Sequence, residues 1–227
     1  MNIKFINPGF DYSIKSIMLF QNEDTENWWR DVLFHFYPQF DRKAFNLLGQ
    51  EWRHIYLRDN LQKLKEIEVA FSDTFKLDCH NRFNNIIGNI TLNPICPRFL
   101  DTCKFDIFYL NDENDALGIA VHETIHFVWF NVWQRIFKDD KTEYETPNLK
   151  WIFSEAAVDA ITRNDKRFSE KYPFTEYAYQ YFYDMRVENV CIIEMLNDIY
   201  KSTDIIGFMK NGFVLFIKHE AEIREPH

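Results

Sequence analysis

Apolar positions along most of this chain recur at three- and four-residue steps, the period of helices that bury one face. From about Thr25, Trp28, Trp29, Val32, Leu33 and Phe36 keep that step until Pro38 stops it. A longer pattern over 50–77 sets Ile55, Leu61, Leu64, Ile67, Phe71 and Phe75 near one face, with Lys63, Lys65, Glu66 and Glu68 on a solvated side. Between Asp78 and Leu110 the period weakens. Asn93-Pro94 and Cys96-Pro97 read as loop there, and Phe105 to Leu110 reads as a short strand rich in β-formers. The first residues also suit a short strand.

The most apolar helix is predicted over 115–137. Asp112, Glu113 and Asp115 lie at its start and Arg135 and Lys138 at its end, which suits the helix dipole. Thr146-Pro147 reads as the cap and first turn of another helix that reaches Arg163. A Tyr- and Phe-rich stretch over 172–183 reads as packing, and two further helices are expected over 187–200 and 204–222. The expected fold is therefore α+β and predominantly helical, with a small sheet that includes an edge strand near 105–110.

Composition narrows the class. With 46% hydrophobic and 27% charged residues the chain is an ordinary folded protein, and 6 Gly with 7 Pro argue against a turn-rich β-sandwich. No repeat or composition break marks a linker. One domain over 1–227 is expected, with helices and short strands in 1–110 and the longer helices in 111–227. A formal charge of −9 disfavours a nucleic-acid backbone or an anionic membrane as the main partner. No run of eighteen apolar residues and no export-type start is visible. Cys79, Cys96, Cys103 and Cys191 form no CxxC pair, which suits reduced thiols and a cytoplasmic location.

Chemistry concentrates in Ala120-Val121-His122-Glu123-Thr124-Ile125-His126-Phe127. On a helix, His122 and His126 project from one face a turn apart, and two imidazoles in that relation can hold one Zn²⁺ at about 2.0–2.1 Å each. Glu123 lies roughly 100° round the helix, beside the first ligand, where it can reach an activated water without occupying the metal. With 7 His in the chain, HExxH arises by chance on the order of two per cent of the time. The context adds weight, because a His-Glu-His segment inside the most apolar helix costs free energy unless its polar groups are satisfied. Two core histidines bonded to backbone carbonyls, with Glu123 paired to an arginine, are the competing reading. Two histidines are too few for a catalytic zinc site, which usually takes three protein ligands and a water. The metzincin continuation fails, since Trp129 and Val132 stand where it needs Gly and His. On the next helix, Glu155 and Asp159 share one face beside Ile152, Phe153, Ala156, Ala157 and Ala160. Small Ala156 and Ala157 permit close helix approach, so Glu155 is the candidate third ligand. Asp159 is the candidate acceptor for the free N–H of a ligand histidine. A helix with two solvated carboxylates is the competing reading of the same pair.

His122-Glu123-x-x-His126, followed by Glu155-x-x-x-Asp159, resembles the gluzincin (thermolysin-like) zinc metallopeptidases over about residues 117–160. The resemblance implies one Zn²⁺ per chain held by His122, His126 and Glu155, with Glu123 as general base and Asp159 supporting the first histidine. It also implies a zincin-like active-site helix and an extended peptide lying along an edge strand. A downstream Tyr or His would steady the oxyanion, for which His219 and the tyrosines of 172–183 are candidates. The interval between His126 and Glu155 is longer than the family's usual spacing and requires an extra turn or loop over about 139–146. The Gly-x-Met-Glu-Asn signature of zinc aminopeptidases is absent. The expected activity is hydrolysis of peptide bonds in peptide or protein substrates. Two other readings stay open. One is a gluzincin-like regulatory or peptide-binding protein with structural zinc and no turnover; the other is a helical interaction protein without metal.

Overall fold

The computed structural model describes residues 1–19, 66–109, 111, 113–170 and 177–224. The helix expected from Thr25 to Pro38 and the first part of that expected over 50–77 lie outside those residues. The remainder of the latter is helical over 66–75 and buries Ile67, Phe71 and Phe75.

The fold is α+β and mostly helical, with one four-stranded sheet and a two-stranded ribbon. The strands of the sheet are β1 (Ile3–Ile6), β2 (Ile86–Thr91), β3 (Arg98–Phe99) and β4 (Lys104–Phe108), in the order β1-β2-β4-β3. β1, β2 and β4 run parallel, and β3 turns back antiparallel to β4. The segment 105–110 does carry a strand, but not an edge strand. β4 pairs with β2 on one side and β3 on the other, because Pro97-Arg98-Phe99 folds back along it. β2 itself broke no sequence rule yet was hidden, since Gly88 and Asn89 interrupt its apolar run. Gly88 is required by close packing: a Cβ there would stand 2.7 Å from the Phe5 ring.

After β4 comes the central helix, Glu113–Phe137, buried on almost every side. The connection then holds a 3₁₀ turn, Lys141–Tyr144, and supplies the extra turn that the long spacing requires. Asp139 fixes it by accepting from Trp133 Nε1 (2.9 Å) and Tyr144 Oη (2.5 Å) while pairing with Lys150 (2.7 Å). The next helix, Leu149–Asn164, begins after Asn148, whose side chain donates back to the Thr142 and Glu145 carbonyls, so Thr146-Pro147 precedes it and does not form its first turn. We call this the carboxylate helix. It packs against the central helix and against helices Ile192–Ser202 and Ile205–Lys218. Between it and Ile192–Ser202 lies a ribbon of β5 (Arg186–Val187) and β6 (Val190–Cys191), turned by Glu188 and Asn189, both at positive φ.

An aromatic seam sets the distance between the central helix and the carboxylate helix. Phe153 meets Trp129 edge-on with ring centroids 5.3 Å apart, and Phe216 backs it at 4.9 Å. Gly212 lets the last long helix close on this seam, since a Cβ there would come 2.7 Å from the Phe153 ring. Ala156 and Ala157 are fully buried in it. All four cysteines are unpaired, and no helix among the described residues is long and apolar enough to cross a membrane.

Candidate metal centre

The seam brings His126, one turn before Trp129, opposite Glu155, just past Phe153. His126 is fully buried, Glu155 is 1% exposed, and His122 retains 17% side-chain exposure. The two ring Nε2 atoms stand 3.0 Å apart. Glu155 Oε2 lies 3.3 Å from His122 Nε2 and 3.2 Å from His126 Nε2. Three donor atoms from two helices thus converge on one point, a grouping able to hold a metal ion. The solvated-carboxylate reading fails, because both Glu155 and Asp159 are buried.

A cation missed by sequence reasoning completes the cluster. Arg98 of β3 donates from Nη1 to Glu155 Oε1 at 2.7 Å, and the same nitrogen lies 3.8 Å from Glu123 Oε2. No motif surrounds Arg98. Its one signal was a single charge set between Pro97 and the apolar pair Phe99-Leu100. The partners set the protonation of the cluster. Burial opposes ionisation of Glu155, but Arg98, 2.7 Å from Oε1, overcomes it and holds its carboxyl well below the usual range. Burial, helped by Arg98, pulls His126 down to about 3, so its ring is neutral with a lone pair to offer. Burial also lowers His122, but the hydrogen bond to Glu155 and the nearby carboxylates outweigh it and raise the ring overall. Glu123 is pushed up to about 7 by burial, against the pull of His122 and Arg98.

His122 and Glu123 open onto a cleft of about 230 Å³ whose other walls are Ile95, Cys96, Ile119, Tyr177, Ala178 and Tyr179. Although its ring is half exposed, Tyr179 is raised by desolvation on its cleft side and by the charges of Glu155 and Glu123, which keeps its hydroxyl protonated and able to donate. Of the oxyanion candidates within the described residues, Tyr177 and Tyr179 line the cleft beside His122 and Glu123, and it is Tyr179 whose hydroxyl feels the charges of Glu155 and Glu123. Tyr183 faces Asp159, and His219 faces Glu188 and Glu222. A larger cleft of about 690 Å³ lies beyond Arg98, between Phe99, Phe127, Phe130 and Tyr144.

Asp159 does not reach a histidine. Its carboxylate accepts from Arg163 Nε (3.0 Å) and Nη2 (2.7 Å), Tyr183 Oη (2.6 Å) and Asn197 Nδ2 (3.0 Å). Tyr183 Oη in turn accepts from the backbone N–H groups of Tyr177 (2.9 Å) and Ala178 (3.4 Å). Asp159 therefore steadies the cleft wall that carries Tyr179.

No protein-family model, no curated protein and no solved structure matches this chain.

Proposed function

We propose that this protein is a zinc-dependent hydrolase that cleaves peptide bonds in the manner of the gluzincin metallopeptidases. One observation carries the reading: the His122, His126 and Glu155 donor atoms stand 3.0, 3.2 and 3.3 Å apart. Ligands about 2.0–2.1 Å from a tetrahedral ion lie about 3.3 Å from one another. The donor set, two imidazole nitrogens and a carboxylate oxygen, is that of a catalytic rather than a closed structural zinc site. Four unpaired thiols favour a reducing, cytoplasmic setting.

Zinc bound there supplies a Lewis acid and a water of lowered pKa. Glu123 sits on the cleft side of the cluster, where its carboxylate takes the proton of the attacking water and returns it to the leaving amine. Arg98, 3.8 Å away, favours the ionised form of that carboxylate through its charge. The Tyr179 hydroxyl donates to the oxygen on which charge develops. Ile95, Ile119 and Ala178 make the walls apolar and limit water. β3, the edge strand of the sheet that carries Arg98, is the element along which an extended peptide lies.

Metal analysis of freshly purified protein, with a peptide-library cleavage assay, tests this reading. One zinc per chain is expected, and Glu123→Gln should keep the zinc and the fold while losing turnover by roughly 10²–10⁴-fold. Full hydrolysis by that variant would remove Glu123 from the chemistry. Zinc retained by the unaltered chain with no peptide cleaved would favour the peptide-binding role.

A further inference from the structure

Arg98 belongs to neither ligand helix. It comes from β3, where its backbone pairs with Phe105 of β4, so the sheet decides where its side chain begins. The side chain is only 8% exposed. Glu155 is divided between two tasks. Oε1 accepts from Arg98 Nη1 at 2.7 Å, while Oε2 alone faces the two imidazole nitrogens, at 3.3 and 3.2 Å. An Arg–carboxylate bond of this length is charge-assisted and strong where water is excluded.

We infer that Arg98 is a positioning residue for the ion, holding Glu155 to ligation through a single oxygen. This rests on the metal-centre reading above. A carboxylate with both oxygens available can turn and chelate an ion with the pair, taking the position that the reaction needs for water and substrate. Here Oε1 is already committed, so one oxygen and two nitrogens leave the fourth position open. The guanidinium also offsets the buried charge of Glu155 before any ion arrives, which lets the donor triangle persist unloaded. A partner of this kind behind a ligand typically accounts for about 10–100-fold in metal affinity.

Cobalt(II) substitution reads the coordination directly, because four-coordinate cobalt absorbs strongly in the visible and five-coordinate cobalt weakly. The unaltered chain should take up one equivalent and show the intense four-coordinate spectrum. Arg98→Gln should bind cobalt about 10–100-fold more weakly, with the spectrum weakened towards the five-coordinate form. Arg98→Lys, which restores a charged donor, should recover most of the intensity. A folded Arg98→Gln variant with unchanged affinity and spectrum would reduce Arg98 to an ordinary buried ion pair and overturn the inference. A five-coordinate spectrum from the unaltered chain would overturn it even if both variants failed to fold. Those outcomes leave the metal centre standing. Failure of the folded, unaltered chain to take up zinc or cobalt would instead remove the centre, and this inference with it.

Discussion

Glu155 and Asp159 stand one turn apart on the same helix, are equally buried, and have opposite surroundings. Asp159 is saturated, with four N–H or O–H groups from Arg163, Tyr183 and Asn197 arranged round its two oxygens. Around Glu155 the accounts stay open. Arg98 Nε and Nη2, Glu123 Oε2 and His126 Nδ1 are sealed from solvent without a hydrogen-bond partner among the described residues. Buried polar groups left short of partners cost free energy, and a fold that keeps several together is holding them for something other than stability. The contrast comes from the neighbours, not from the helix. Asp159 faces the amide of helix Ile192–Ser202 and the hydroxyl of Tyr183, whereas Glu155 faces two imidazoles and a strand-borne arginine. Saturation suits a structural carboxylate, and the clustered deficit round Glu155 is what the proposed metal centre accounts for.

Metal content should break the pair apart most sharply. Glu155→Ala is expected to bring bound zinc from stoichiometric to background, and His126→Ala to do the same. Asp159→Ala should leave the zinc in place and instead lower the unfolding free energy by about 3 kcal/mol, since Tyr183 and Asn197 lose a buried acceptor. Elemental analysis beside urea unfolding separates the two effects. If Asp159→Ala emptied the site at unchanged stability, the support of a ligand histidine implied by the gluzincin resemblance would be reinstated.

A subtler break runs through the link from Asp159 to the cleft. Tyr183→Phe removes the donor to Asp159 and the acceptor for two backbone N–H groups, while the ring stays. The expected cost is about 1–2 kcal/mol in stability. Turnover should fall roughly tenfold with zinc unchanged, through misplacement of Tyr179. Tyr179→Phe should lower turnover by a comparable or larger factor and leave stability nearly untouched, because its ring is half exposed. Equal activity in both variants and the unaltered chain would mean that this wall takes no part in catalysis.

The contrast also explains what could be read from the chain itself. The central helix was legible because apolar residues run through most of its length, and the anomaly of His122, Glu123 and His126 within it drew attention to the candidate metal centre. Glu155 followed from helical spacing, and the fold places it with the two histidines. Asp159 has the same local pattern, so its different partner was illegible: the choice between histidine and Tyr183 is made by elements far along the chain. Arg98 and β2 were missed for a related reason. A two-residue strand and a glycine-bearing central strand have no period, and their places are fixed only by pairing with β4. Tyr179 lay within a stretch recognised as aromatic, but one tyrosine could not be told from its neighbours until the cleft was defined.

Asp139 offers the smallest and most graded test of the same distinction. Like Asp159 it is surrounded by donors, from Trp133, Tyr144 and Lys150, and it ties the end of the central helix to the start of the carboxylate helix. Burial works against its ionisation, but the hydrogen bonds from Lys150, Tyr144 and Trp133 prevail and lower it from its ordinary value. A carboxyl held below its unfolded value contributes stability at all pH above the unfolded value, about 3.9, and loses it as pH falls through the folded value. Asp139→Asn should therefore lower the melting temperature by a constant few degrees from neutral pH down to about 4, with the gap closing below that. Zinc content at neutral pH should stay stoichiometric throughout. A gap that instead widened on acidification would mean that Asp139 is protonated in the fold, and that donors around a carboxylate are not a reliable mark of a structural role here.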